Sequence, residues 1–224
     1  MNGVVTQNTN AKGWLPEGFV GELLPLVLNT WSDFEVPIHI VEEPKITALF
    51  KKRLKKRIKD DPENDWFIML ETSDYDDSGV EISRTDIRVL PPGKKDEDYA
   101  FVLECKRLNI SHPGGKFDRN TGKYTDDGML RFIEGTYSRG LREGGMMGFV
   151  MDSDVPAARQ ALLNAISTRQ EKLKLRTGSG YLPCALLPVK SLHGETQHVL
   201  GNNRTFILYH LLVPVRFKSL VTSE

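Results

Sequence analysis

The sequence predicts an α/β domain in which helices flank a mixed central sheet that begins as an antiparallel meander. Three observations carry this. Apolar residues recur at helical spacing near residues 43–59, 129–141 and 155–175. Around them lie apolar runs of strand length, at 66–71, 81–90, 99–106, 146–151, 181–187 and 204–217. The first three of those runs are joined by short connections rich in Pro, Gly and Asp, as successive hairpins require. With 224 residues the chain can bury a sizeable core unaided, so a single domain with modest additions is expected.

Residues 1–40 are expected to be a loosely structured N-terminal lead-in, because Pro16, Gly18 and Pro25 interrupt its short apolar pieces. The domain proper is expected over 41–224. Its first helix, 43–59, has Ile46, Leu49, Phe50, Leu54 and Ile58 on one stripe. Pro44 suits the first helical position, and Glu43 places a carboxylate at the positive end of the helix. Seven Lys and Arg residues between Lys51 and Lys59 occupy the rest of its circumference and read as a solvated face. An acidic turn at 73–79 and a Pro/Gly turn at 91–98 separate the three meander strands. Residues 109–127, rich in Gly, Lys, Asp and Asn, predict a mobile loop. Met129, Leu130, Phe132, Ile133, Tyr137 and Leu141 mark a second helix, stopped by Gly144–Gly145 before a buried strand. Ala158, Leu162, Ala165, Ile166 and Leu173 face inward on a third.

Composition excludes several function classes. Two cysteines, Cys105 and Cys184, make no disulfide framework or CxxC zinc pattern, and reduced thiols in the cytoplasm are expected. No apolar run approaches the about 18 residues of a membrane span, and the polar start lacks the order of a signal peptide. No GxxxxGK[ST] loop is present, so ATP hydrolysis by that route is excluded. His193 and His198 are not at helical metal spacing, and His210, alternating with apolar neighbours, reads as a core histidine. Thirty basic and thirty acidic residues leave no net charge, which argues against a long stand-alone grip on nucleic acid and for a local basic strip or a partner subunit.

The chemistry is concentrated on two strands. Alternate side chains of an extended strand share a face, so Glu104 and Lys106 project together, opposite Tyr99, Phe101, Leu103 and Cys105. In the preceding strand Asp86 and Arg88 point one way, Ile87 and Val89 the other. If the strands pair, Asp86 sits beside Glu104. Two carboxylates bind a hard divalent cation together with water and substrate phosphate, and such an ion acidifies water for phosphodiester hydrolysis. A Cys105 carbonyl oxygen would add a ligand, and Lys106 would orient or deprotonate the water. Glu-x-Lys alone is a weak signal, and a cross-strand ion network on a solvated face fits the same residues.

The segments Arg84-Thr85-Asp86-Ile87-Arg88-Val89 and Phe101-Val102-Leu103-Glu104-Cys105-Lys106-Arg107-Leu108 resemble the Asp-then-(Asp/Glu)-x-Lys signature of PD-(D/E)XK nucleases. The run Gly128-Met129-Leu130-Arg131-Phe132-Ile133-Glu134-Gly135-Thr136-Tyr137-Ser138, with Met146-Met147-Gly148-Phe149-Val150 after it, is similar to the helix and strand that follow the catalytic lysine in restriction-like and phage-defence nucleases. The resemblance covers about residues 40–152. Thr85 stands where the motif has its leading proline. The resemblance implies a restriction-endonuclease-like fold and Mg²⁺-dependent cutting, with Mn²⁺ able to substitute. It makes Asp86 and Glu104 metal ligands, Lys106 the water-positioning group, and Glu43, with Glu42 as fallback, an additional ligand. DNA is the expected substrate, with RNA left open. An ATPase or helicase partner in bacterial antiviral defence, or self-association, is expected by analogy.

Further residues carry two readings each. Lys116, Arg119, Lys123 and Tyr124 would clamp a nucleic-acid backbone or only aid solubility. Arg131, Glu134 and Tyr137, at i, i+3 and i+6, would steady Lys106 or touch phosphate, or form a surface ion pair beside a half-buried tyrosine.

Overall fold

A computed structural model describes residues 15–61, 65–69, 72–75, 81–94, 99–137, 140–188 and 192–218. The expected lead-in before residue 15, the far part of the acidic turn (76–79) and the end of the Pro/Gly turn (95–98) lie outside the described residues. In chain order the first elements are α1 (Phe19–Ser32), β1 (Val36–Pro37), α2 (Glu43–Asp60), β2 (Phe67–Met69), β3 (Thr72–Tyr75), β4 (Glu81–Thr85) and β5 (Ile87–Leu90). Then come β6 (Phe101–Leu108), the ribbon β7 (Ile110–Ser111) and β8 (Phe117–Asp118), a π-helical segment Lys123–Met129 running into α3 (Leu130–Ile133), and β9 (Glu143–Val150). The last are α4 (Val155–Ser167), β10 (Leu182–Pro183), β11 (Gly194–Leu200), β12 (Arg204–Pro214) and β13 (Phe217–Lys218).

The central sheet has seven strands in the order β10-β11-β12-β9-β6-β5-β2. Its middle is parallel (β12 with β9, β9 with β6), and both flanks are antiparallel. The sheet is therefore mixed, as expected, and helices cover both faces. On one face α1 and α2 meet Phe101, Leu103, Cys105, Met147, Phe149, Leu211 and Val213 in one core. On the other, the π-helical segment, α3 and α4 meet Val102, Leu108, Met146, Val150, Phe206 and Leu212 in a second. A parallel strand covered on both sides reads as a nearly continuous apolar run, which is what β12 is from Phe206 to Val213 apart from His210.

Five expectations are corrected. The lead-in contains a helix, Phe19–Ser32. Leu23, Leu24, Val27 and Trp31 bury themselves in the first core, and Trp31 stacks on Phe149 with ring centroids 4.9 Å apart. Its indole N–H donates to the Pro214 carbonyl at 2.8 Å, and this tertiary burial outweighs the local cost of Pro25 inside the helix. The expected mobile loop holds the β7–β8 ribbon and the π-helical segment, docked through Tyr124 and Met129. Gly144 and Gly145 do not stop a helix; they lie in β9, where a Cβ would stand 2.7 Å from Phe132 and 2.9 Å from Leu103. The strand needs glycine there because bulky side chains close over it from both faces. At the other end of the sheet, β11 falls outside every predicted strand, because its Gln, His and Thr mask the pattern. Helix α4 ends at Ser167 rather than near 175.

The polar groups of that strand are buried and tied into a chain. His198 Nδ1 lies 2.7 Å from the Leu173 carbonyl, which can only accept, so this nitrogen carries the proton. His198 Nε2 then accepts from Thr196 Oγ1 (2.7 Å), which in turn accepts from His210 Nε2 (2.9 Å). His210 Nδ1 is left to accept from the Tyr124 hydroxyl at 3.0 Å. Both rings are neutral in this arrangement, and burial lowers the pKa of His198 to about 4 and of His210 to about 3. Neutral folded histidines contribute stability that is present above the unfolded pKa near 6.5 and lost as pH falls toward the folded values. Between pH 7 and pH 5 wild type should lose about 2 kcal/mol more unfolding free energy than His210→Gln, measured by denaturant titration at each pH.

Candidate active site

The ladder between β5 and β6 runs from Val89↔Phe101 to Ile87↔Leu103 and stops. Before Ile87 the chain bends at Asp86, and β4 turns away to pair with β3 through Thr85↔Thr72. The sheet opens at that point, and the Cys105 peptide faces the gap. Its N–H donates to Asp86 Oδ2 at 2.7 Å, and its carbonyl accepts from the Lys106 ammonium at 2.9 Å.

Lys106 Nζ also donates to Glu104 Oε1 (2.5 Å) and Glu43 Oε1 (3.3 Å). Glu43 comes from the first turn of α2, and its second oxygen accepts the Arg107 backbone N–H at 2.8 Å. The neighbouring Glu42 instead pairs with Lys45 in solvent (2.8 Å). Asp86, Glu104, Lys106, Glu43 and the Cys105 carbonyl are thus brought together. The Asp86 and Glu104 carboxyl groups are close enough for each to shift the other's protonation.

The environment is drier than a solvated strand face. Glu104 is 2% exposed, and its Oε2 accepts no hydrogen bond. Burial, then the nearby Asp86 charge, raises the Glu104 pKa to about 7, against the opposing pull of Lys106. Burial likewise raises Asp86, partly offset by Lys106 and the Cys105 N–H. Burial opposes charge on Lys106, yet Glu104, Glu43 and Asp86 outweigh it and hold its pKa above the usual lysine value. Burial and the crowding of three carboxylates around one ammonium act together on these groups, and the cluster favours taking up positive charge.

A cleft of about 860 Å³ reaches this cluster, walled by Thr47, Lys51, Lys52 and Lys55 of α2 and by Arg131. Lys51, placed by the sequence on a solvated face, is 8% exposed and donates to the Asp86 carbonyl at 3.2 Å. A second opening of about 380 Å³ lies on the other side of Lys106 and Arg131, near His112, Asp118 and Lys123.

The outlying candidates divide. Lys123 borders the second opening, whereas Arg119 lines a separate depression against α4. Lys116 is exposed in the β7–β8 ribbon. Tyr124 is fully buried against His210 and is not a surface contact; the Gly-rich segment before it hid its amphipathic docking. Tyr137 is not on the helix of Arg131. That helix ends at Ile133, Gly135 turns the chain with φ 87°, and Tyr137 comes back so that Arg131 Nη1 donates to its hydroxyl. Burial and the Glu104 charge push the Tyr137 pKa up to about 12. Glu134 is exposed and its side chain borders neither opening.

Among the described residues no group of three or more His, Cys, Asp or Glu side chains is arranged to hold a metal ion. The donors available are two carboxylates, one with an orphaned buried oxygen, plus a backbone carbonyl. That set fits a Mg²⁺-class ion, which completes its shell with water and substrate oxygens, and does not fit a structural zinc site. Searches against known protein families, curated proteins and solved structures found no match.

Because the Glu104 pKa is raised on folding, its contribution to stability is complete below about 4.5 and lost as pH rises through about 7. In EDTA, wild type should therefore lose about 2 kcal/mol relative to Glu104→Gln between pH 5 and pH 8. Millimolar Mg²⁺ should restore wild type at pH 8 and leave the variant unchanged, as read by denaturant midpoints.

Proposed function

We propose that this protein is a divalent-metal-dependent nuclease that hydrolyses phosphodiester bonds, with DNA as its substrate. The observation that carries the proposal is the convergence of Asp86 and Glu104 on one buried, cation-deficient point at the floor of an open cleft, with Lys106 alongside. The order of these residues, on a bend and on the strand paired next to it, resembles the PD-(D/E)XK arrangement, and the mixed sheet between helical layers is compatible with a restriction-endonuclease-like fold.

Asp86, Glu104 and the Cys105 carbonyl would hold the ion, which supplies a Lewis acid for the phosphoryl oxygen and an acidified water. The protein's own groups do the rest. Lys106, kept protonated by its carboxylate neighbours, orients the attacking water and offsets the growing negative charge rather than accepting a proton. Glu43 steadies Lys106, and its bond from the Arg107 N–H holds it in place. Lys51 anchors the bend that aims Asp86. With no ATP-binding loop in the sequence, any movement along DNA would come from an ATPase or helicase partner, which fits a subunit of an antiviral defence complex.

One observation favours a second function, a non-catalytic nuclease-fold scaffold: the Lys106 ammonium already bridges Glu104 and the Cys105 carbonyl. An activity assay separates the two. Purified protein is incubated with linear, supercoiled and single-stranded DNA in Mg²⁺, Mn²⁺ or EDTA. Metal-dependent cutting is expected, reduced about 100-fold or more by Lys106→Ala and by Asp86→Asn. Equal cutting by wild type and Lys106→Ala would refute the nuclease assignment. No cutting by any protein would favour the scaffold.

A further inference from the structure

The two openings onto the cluster differ in charge. The larger is lined by five cations (Lys51, Lys52, Lys55, Lys106 and Arg131) against two carboxylates, Asp86 and Glu104. The smaller carries four cations against four carboxylates, Glu42, Glu43, Asp118 and Asp127. Only the first presents a surplus that a polyanion could use.

That surplus continues along α2. Lys51 and Lys55, like Lys52 and Lys56, are four residues apart, one turn or about 6 Å along the axis. Lys52 borders a neighbouring depression of about 620 Å³ as well as the cleft, and there it joins Arg53, Lys56, Arg216 and Lys218 against Asp33 and Glu35. Asp33 is paired with Arg57 at 2.7 Å and Lys56 with Asp60 at 2.6 Å, which leaves Lys52, Arg53, Arg216 and Lys218 against Glu35. A strip of positive potential thus runs from the reaction cluster over α2 toward β13. It supplies the local basic surface that a chain with zero net charge needs in order to hold nucleic acid.

We propose that the nucleic-acid chain is gripped on one side of the reaction centre only. Its phosphates follow Lys52 and Lys55 along α2 and continue to Lys218, while the segment beyond Lys106 passes through a charge-balanced opening that holds it weakly. This rests on the nuclease function for the identity of the polyanion. It adds which face binds, and it implies that after cutting the fragment on the Lys123 side leaves first.

The test is fluorescence anisotropy of fluorescein-labelled single-stranded and duplex DNA in EDTA, where binding is read without cleavage. Lys52→Glu/Lys55→Glu should weaken binding about tenfold or more and lower the salt slope by about 2, because two phosphate contacts are lost. Lys52→Gln/Lys55→Gln should show an intermediate loss, and Lys123→Glu should stay within about twofold of wild type. Both α2 lysines are exposed, and thermal melting checks that the variants remain folded. Equal losses from the two sides, no loss from the α2 variants, or no binding by wild type would each overturn the one-sided grip. If wild type cuts DNA while the α2 variants bind normally, the grip falls and the nuclease assignment stands. If the α2 variants lose binding and nothing cuts, the reverse holds.

Discussion

The Cys105 peptide group is the constraint on which the centre depends. Its strand keeps one neighbour, β9, and loses the other where the chain bends at Asp86. A peptide freed from its ladder inside a folded protein must find other partners, since an unpaired buried backbone group costs about as much as a lost hydrogen bond. Here the N–H takes a carboxylate and the carbonyl takes an ammonium. The same bond that satisfies the backbone therefore aims Asp86, and the same carbonyl helps hold Lys106. Opening the sheet and assembling the cluster are one event.

Charge then sets what that assembled cluster can do. A buried ion pair alone is weak evidence for stability, because desolvating both partners costs much of what their attraction returns. This cluster goes further and leaves three carboxylates around a single ammonium, with one Glu104 oxygen accepting nothing. Such an arrangement is costly unless something positive shares it. The supporting contacts are all fixed by elements that pack for other reasons: α2 buries Ile46, Phe50, Leu54 and Ile58, and in doing so brings Glu43 and Lys51 to the gap. The tight approach of α3 and the π-helical segment over the glycines of β9 places Arg131 above Glu104.

Where local pattern and tertiary burial agreed, the elements were legible in advance. Helix α2 announced itself by its apolar stripe and Pro44, and β6 by alternation that put Glu104 and Lys106 on one side. Where burial alone pays no heed to local signals, they were not. Helix α1 contains a proline and begins after a glycine in the left-handed region, so only the pocket for Trp31 explains it. Strand β11 carries Thr196 and His198, which look polar until Tyr124 and His210 complete their bonding. Tyr124 itself follows residues that read as loop, and its burial depends on β12, more than eighty residues away.

By itself the sequence determined the chemistry on offer and its spacing: an acid at 86, an acid and a base two residues apart at 104 and 106, another acid at the start of a helix, and a band of lysines behind it. Period-two and period-3.6 patterns are local, and so they survive in a linear string. Tertiary structure alone decided that the ladder breaks beside Asp86, that Glu104 is dry, and that Lys51, Lys52 and Lys55 wall the cleft instead of merely facing water. Those outcomes depend on which distant surfaces meet and how much solvent remains between them, and neither quantity is written in the order of neighbouring residues.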